Sequence, residues 1–129
     1  MRNIRHHWAV LCAATLLAAC ASGGNRVSSN PALQPISLSV TNQNWLDVAV
    51  FVLSGDSRFR IGQVTGNGSA TLKIPASFVI NGQVQLMADP IVSHDIFTTD
   101  MISVAPDETV QLTVAPRMRM SSFAVWVRR

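Results

Sequence analysis

From Ile36 onward, apolar side chains recur at every second residue within short runs that turn residues separate. A period of two places one face of a strand toward a core and the other toward water. The runs predict strands at ISLSV, LDVAVFVL, RFRIGQV, SATLKI, QVQLMA, MISVA, TVQLTVA and FAVWV. LDVAVFVL is apolar on both faces, which predicts a central strand.

The connections between these runs have turn composition. They include SGDS, TGNGS, NGQ and APDE, where Asn-Gly supplies the positive φ angles of tight hairpins. PASFVI is the one segment that predicts a helical turn. Seven or eight short strands in residues 36–129 predict a single all-β domain, a β-sandwich of immunoglobulin-like or transthyretin-like type.

The stretches VTNQNWLDVAVFVL, RFRIGQV and VQLMADP carry a resemblance across most of this domain. Their arrangement resembles small bacterial envelope lipoprotein domains whose function is not established. The resemblance implies a fold and no activity.

The N-terminal residues follow a different pattern. Arg2 and Arg5 precede WAVLCAATLLAA, an unbroken apolar or small run over residues 8–19. A basic tip followed by such a run is typical of a signal peptide. A membrane-spanning helix needs about 20 apolar residues, so the run is too short to cross a bilayer. We predict that residues 1–19 are a cleaved signal peptide.

LLAACASGG, which closes that run, resembles the lipobox of bacterial lipoproteins. The resemblance implies that Cys20 carries a diacylglycerol, that the chain is cut before it, and that its new amine is acylated, as with palmitate. Two or three acyl chains would make a durable membrane anchor. Ala21 replaces the Asp that tends to retain such proteins in the inner membrane, which implies an outer-membrane anchor with the domain facing the periplasm. Because Cys12 would be removed, the mature chain would keep no free thiol and no disulfide.

Residues 20–35, the lipidated Cys and a segment rich in Gly, Ser, Asn and Pro, are predicted to form a flexible tether. Fifteen such residues have a root-mean-square reach of roughly 20 Å. Removal of Arg2 and Arg5 leaves eight basic residues against seven acidic ones, so the mature chain is nearly neutral. That balance argues against a nucleic-acid partner.

ADPIVSHDIFTTD is the stretch with the most chemistry-bearing side chains: Asp89, His94, Asp95 and Asp100. A histidine among carboxylates could hold a metal or act as a general base, which would indicate a metal-dependent hydrolase. The alternative is a solvated loop, since His94 is the only histidine after the signal peptide. The chain also lacks a G-x-S-x-G elbow and a glycine-rich phosphate loop. We therefore expect no enzymatic activity, no metal and no cofactor.

Two features are candidates for binding. In NQNWLD, Trp45 stands among Asn42, Gln43, Asn44 and Asp47, a set that could stack on and hydrogen-bond a sugar or a peptide. The alternative is that Trp45 caps one end of the sandwich and its polar neighbours form a turn.

The second feature is PRMRMSSFAVWVRR, where Arg117 and Arg119 alternate with methionines and predict a strand with one cationic face. That face would suit anionic lipid, and Arg58 and Arg60 could share it. The alternative is that these arginines only solvate the sheet and protect its edge from pairing.

Taken together, these patterns predict a lipid-anchored envelope protein with a non-enzymatic structural or accessory domain that contacts another envelope protein. An edge strand or the Trp45 region would make the contact. The alternative function is a module that binds glycan or anionic lipid.

Overall fold

The computed structural model describes residues 34–127 and confirms the all-β sandwich. Residues 1–33, with the predicted signal peptide, Cys20 and most of the tether, lie outside the described residues, as do Arg128 and Arg129. The strands in the described range are β1 (Ile36–Asn42), β2 (Val48–Ser54), β3 (Ser57–Val64), β4 (Ser69–Ile74), β5 (Gln83–Pro90), β6 (Phe97–Thr98), β7 (Ile102–Ser103), β8 (Glu108–Val114) and β9 (Ser122–Val127).

The strands form two sheets. The first sheet has the order β4-β1-β8-β9, and the second has the order β3-β2-β5-β6, with β7 also paired to β5. Every pairing is antiparallel except that of β1 with β8, which is parallel. β2 lies between two neighbours, as its two-faced apolar sequence predicts.

The core lies between the inner faces of the two sheets. In the first sheet it is built from alternate residues such as Leu38 and Leu112, and in the second from Val50 and Leu86, all of them fully buried. Burial of a side chain of this size contributes about 1.5–3 kcal/mol. The period-two pattern therefore marks the core face correctly on these strands.

The structure differs from the prediction in two short elements. β6 has only two residues, too few to show an alternating pattern, and it adds a ninth strand to the eight predicted runs. Met118–Met120 form a 3₁₀ turn, so PRMRM is not the predicted strand. Alternating Arg and Met resembles a strand in period, but here buried Met118 anchors a connection between β8 and β9. The predicted helical turn is confirmed as a 3₁₀ turn over Ala76–Phe78.

The turn between that segment and β5 confirms the Asn-Gly prediction. Asn81 and Gly82 both have positive φ, at 52° and 72°. Ile80 and Gln83 exchange two backbone hydrogen bonds across them, each 2.9 Å long. Two consecutive residues with positive φ are the hallmark of a type I′ turn.

Within residues 34–127, none of the helical segments is long and apolar enough to cross a membrane.

Candidate functional site

Four connections meet at one end of the sandwich, which we call the Trp45 end: residues 43–47, 65–68, 91–96 and 115–121. β1 and β8 run parallel and both finish there, and β2 begins there. The opposite end, where β1 begins, is called the Ile36 end. It comprises the connections at residues 55–56, 75–82 and 104–107.

Asn42 holds the connections of the Trp45 end together from inside. Its side chain is almost fully buried, and its Nδ2 donates to the carbonyl oxygens of Leu46 at 2.8 Å and Thr65 at 3.0 Å. Its Oδ1 accepts a hydrogen bond from the backbone N–H of Asn44 at 2.9 Å. One side chain therefore braces two separate connections, because a buried amide must use its donors and acceptor internally.

Asn44 extends this bracing to a third connection. It is also buried, and its Nδ2 donates to the carbonyl oxygen of Pro116 at 3.2 Å, while its Oδ1 accepts from the backbone N–H of Leu46 at 3.0 Å. Asn42 and Asn44 were predicted as binding residues. Their amides are engaged inside the fold, which gives both a role in positioning Trp45.

Asp47 completes the frame on the other side of Trp45. Its Oδ1 accepts from the backbone N–H of Gly66 and its Oδ2 from Nε2 of Gln63, both at 3.0 Å. Its backbone carbonyl accepts from the N–H of Ile91 at 2.8 Å. Gly66 packs so closely on the backbone of Trp45 that an added Cβ would collide with the Trp45 carbonyl oxygen. The backbone around Trp45 is therefore fixed on several sides.

The braced loops present apolar side chains to solvent. Trp45 is 75% exposed and Val92 is 96% exposed. The same end also exposes Ile91, Ile96 and Met120. Exposed apolar side chains that gather at one end of a domain mark a contact surface more often than side chains scattered singly do. The sequence identifies Trp45 and includes Met120 in the PRMRM feature, but it does not identify Ile91, Val92 and Ile96, whose connection has no periodicity. The adjacent apolar pair in PIVS is the available signal.

Val92 has an unusual backbone conformation, with a φ of +69°. A β-branched residue in this region is a genuine outlier and costs of order 1–3 kcal/mol. Strain of this kind concentrates at binding and catalytic sites. Its position at the tip of the Trp45 end adds to the case for this end as the functional surface.

Arg117 and Arg119 also lie at the Trp45 end, both exposed, around the 3₁₀ turn. Arg58 and Arg60 do not share a face with them, because they lie on the outer face of β3 in the second sheet. There Arg58 stands over the ring of Phe51, with its guanidinium carbon 5.1 Å from the ring centre, and pairs with Asp89 at 3.6 Å. The predicted arginines thus form two separate groups.

His94 and Asp95 are exposed in the connection between β5 and β6. Asp89 points to the outer face of the second sheet, where it meets Arg58. Within the part of the chain that the structure describes, no group of three or more His, Cys, Asp or Glu side chains is arranged to hold a metal ion. The hydrolase hypothesis around His94 therefore gains no supporting geometry.

Two cavities in the described residues have linings that do not include Trp45. One, of about 240 Å³, opens at the Ile36 end and is lined mainly by apolar residues, among them Ile36, Val79 and Val104. The other, of about 320 Å³, lies between the edge strands of the two sheets, where Asp100 and Ser122 are among its lining residues. Neither cavity contains a histidine.

No family model matches the chain, and no curated protein matches it. An NMR structure of a protein from Eubacterium rectale overlaps 74% of this chain and 89% of that chain, with a TM-score of 0.42 and 12% identity.

Proposed function

We propose that this chain is a lipid-anchored cell-envelope protein whose sandwich is a non-enzymatic accessory domain, and that the Trp45 end contacts another envelope protein. The observation that carries the proposal is the set of exposed apolar side chains on the connections of the Trp45 end, two of which, residues 43–47 and 115–121, are braced by buried asparagines. The anchor would be the lipidated Cys20 in the outer membrane, with the domain in the periplasm.

The direction of β1 supports partner contact at the Trp45 end. The chain enters the domain at Ile36, and β1 then runs for seven residues to Asn42. At about 3.3 Å per residue, the Trp45 end lies roughly 20 Å farther along the strand direction than the entry point. A chain anchored upstream of residue 34 would therefore have its Trp45 end on the side away from its own attachment point, where a partner is accessible.

The use of the polar side chains around Trp45 to hold the loops supports contact with a macromolecule rather than catalysis. The amides of Asn42 and Asn44 and the carboxylate of Asp47 are used to hold the loops. The side chains that face solvent at this end include Trp45 and the other exposed apolar residues, beside Arg117 and Arg119. Tryptophan is enriched among residues that dominate protein interfaces, and a pre-formed loop lowers the entropy cost of binding.

The anchor and the contact are tested separately in native membranes. We expect Trp45→Ala to stay in the outer-membrane fraction but to lose a partner that crosslinks to the wild type, since truncating an interface tryptophan typically costs about 2 kcal/mol or more. Ile80→Ala, which truncates an exposed apolar side chain at the Ile36 end, is the control and should retain the partner. Cys20→Ser should leave the membrane fraction.

If Trp45→Ala still crosslinks to the partner, the contact proposal is wrong. If Cys20→Ser stays in the membrane fraction, the anchor proposal is wrong, and the result for Trp45 is unaffected.

A second function is favoured by one observation at the same end. Arg117 and Arg119 flank a turn whose Met120 is 68% exposed, and cations beside apolar side chains suit a surface of anionic lipid. Binding to vesicles that contain phosphatidylglycerol, and its loss in Arg117→Gln/Arg119→Gln, would favour this alternative. Binding to neutral vesicles at the same level would count against it. The other alternative is that the domain binds a glycan through Trp45, which would retain it on cell-wall preparations.

A further inference from the structure

β9 is an edge strand with few of the features that normally protect an edge. It pairs with β8 along one side and forms one end of the first sheet. Ser122–Val127 carries no charged residue and no proline, and its register with β8 is continuous from Ser122 to Val127 without a bulge. Natural sheets usually protect such edges with lysine, proline, a bulge or a covering segment.

Both faces of β9 expose apolar side chains. Phe123 lies on the inner side, because it is opposite the buried Leu112. Val127 is four residues farther along the strand and therefore shares that face. Phe123 is 37% exposed and Val127 is 60% exposed. Trp126 lies on the outer side, opposite Thr109, and is 54% exposed. The two-residue strand β6 ends the facing sheet early, so it leaves the inner side of β9 partly uncovered.

We propose that β9 pairs antiparallel with β9 of a second copy of this chain, about a two-fold axis at Val125. The two four-stranded sheets then form one continuous eight-stranded sheet. This inference does not depend on the proposed function, because it involves a different edge and a different partner.

Side-chain size selects the register. Directly opposite residues of an antiparallel pair share a face, so a two-fold axis must pass through a residue position. With the axis at Val125, Trp126 of one copy lies opposite the small Ala124 of the other on the outer face. On the inner face, Phe123 meets Val127, and the most exposed inner side chains cover one another. An axis at Ala124 would instead place Trp126 opposite Ser122 and leave Val127 unpaired.

Disulfide crosslinking of the full chain in membranes tests the pairing. Opposite residues in antiparallel strands have Cα atoms about 4.5–5.5 Å apart, within the range of a disulfide. We therefore expect Val125→Cys to form a covalent dimer at a yield at least about tenfold above Thr71→Cys, which lies exposed on β4 at the other edge of the same sheet. Wild-type chain, oxidised in parallel, controls for Cys12 and Cys20.

A second pair of variants tests the register on the outer face, where substitution disturbs the core least. Ala124→Cys mixed with Trp126→Cys should give a crosslinked pair, while Ala124→Cys alone should not. Addition of Trp126→Lys to Val125→Cys should abolish the dimer, because it introduces a charge at the edge.

The proposal is overturned by equal dimer yields from Val125→Cys and Thr71→Cys, by Ala124→Cys dimerising on its own, or by Val125→Cys crosslinking to a different protein. Loss of the Trp45 partner has no bearing on these outcomes, so the two proposals fail independently.

Discussion

The polar residues of NQNWLD illustrate how burial assigns a role to a side chain. Asn42, Asn44 and Asp47 were singled out because amides and a carboxylate beside a tryptophan suit a ligand. The structure uses these groups to bind backbone atoms in two other connections. These backbone partners lie up to 72 residues away along the chain, so no local sequence signal could reveal them. Trp45 was found because an aromatic residue in a polar loop is conspicuous.

Asn42→Ala should lower the free energy of unfolding by about 2–3 kcal/mol, since it removes a buried amide and leaves buried backbone partners unpaired. Chemical denaturation of the purified chain measures the change. Gln43→Ala, at the exposed neighbouring position, is the matched control and should change stability by less than about 0.5 kcal/mol. Equal effects of the two substitutions would contradict the bracing role.

Val92→Gly should raise stability by about 1 kcal/mol, because glycine adopts a positive φ without the steric cost that a β-branched residue has. Thermal unfolding should show an increase of about 4–8 °C for a domain of this size. Val92→Ala is the control: alanine keeps the Cβ clash and should gain much less. If alanine stabilises as much as glycine, the backbone at position 92 is not strained.

At the scale of elements, alternation predicted eight of the nine described strands because each has one face in the core. It missed β6, whose two residues pair with β5 through tertiary context. It also assigned PRMRM to a strand, since alternating Arg and Met has the period of a strand even though the segment turns. The parallel pairing of β1 with β8 could not be predicted from the sequence, because contacts between residues so far apart leave no local pattern.

Leu86→Ala should cost about 2–5 kcal/mol, since Leu86 is fully buried on the inner face of β5. Leu53→Ala is the matched control on β2, where the side chain lies on the outer face and is only partly buried. We expect a cost less than half as large, measured by the midpoint of denaturation. A larger effect at Leu53 would mean that the two faces of this sheet are assigned the wrong way round.

At the scale of the whole molecule, the two ends of the sandwich differ in what they expose. The Trp45 end exposes five large apolar side chains, with Trp45 and Val92 the most exposed, whereas the Ile36 end exposes one, Ile80, among polar turn residues such as Asp56 and Asp107. The sequence predicted the sandwich and the order of its segments, but not which loops share an end, because that depends on sheet topology. We therefore expect partner contact at the Trp45 end.

Site-specific photo-crosslinking in living cells tests this claim most directly. A photoreactive residue would be placed singly at positions 45, 92 and 120, and at the matched exposed positions 56, 81 and 107 of the Ile36 end. We expect the first three to capture one common protein and the last three to capture none at a comparable yield. Capture of that protein mainly from positions 56, 81 and 107, or of none from position 45, would contradict the account.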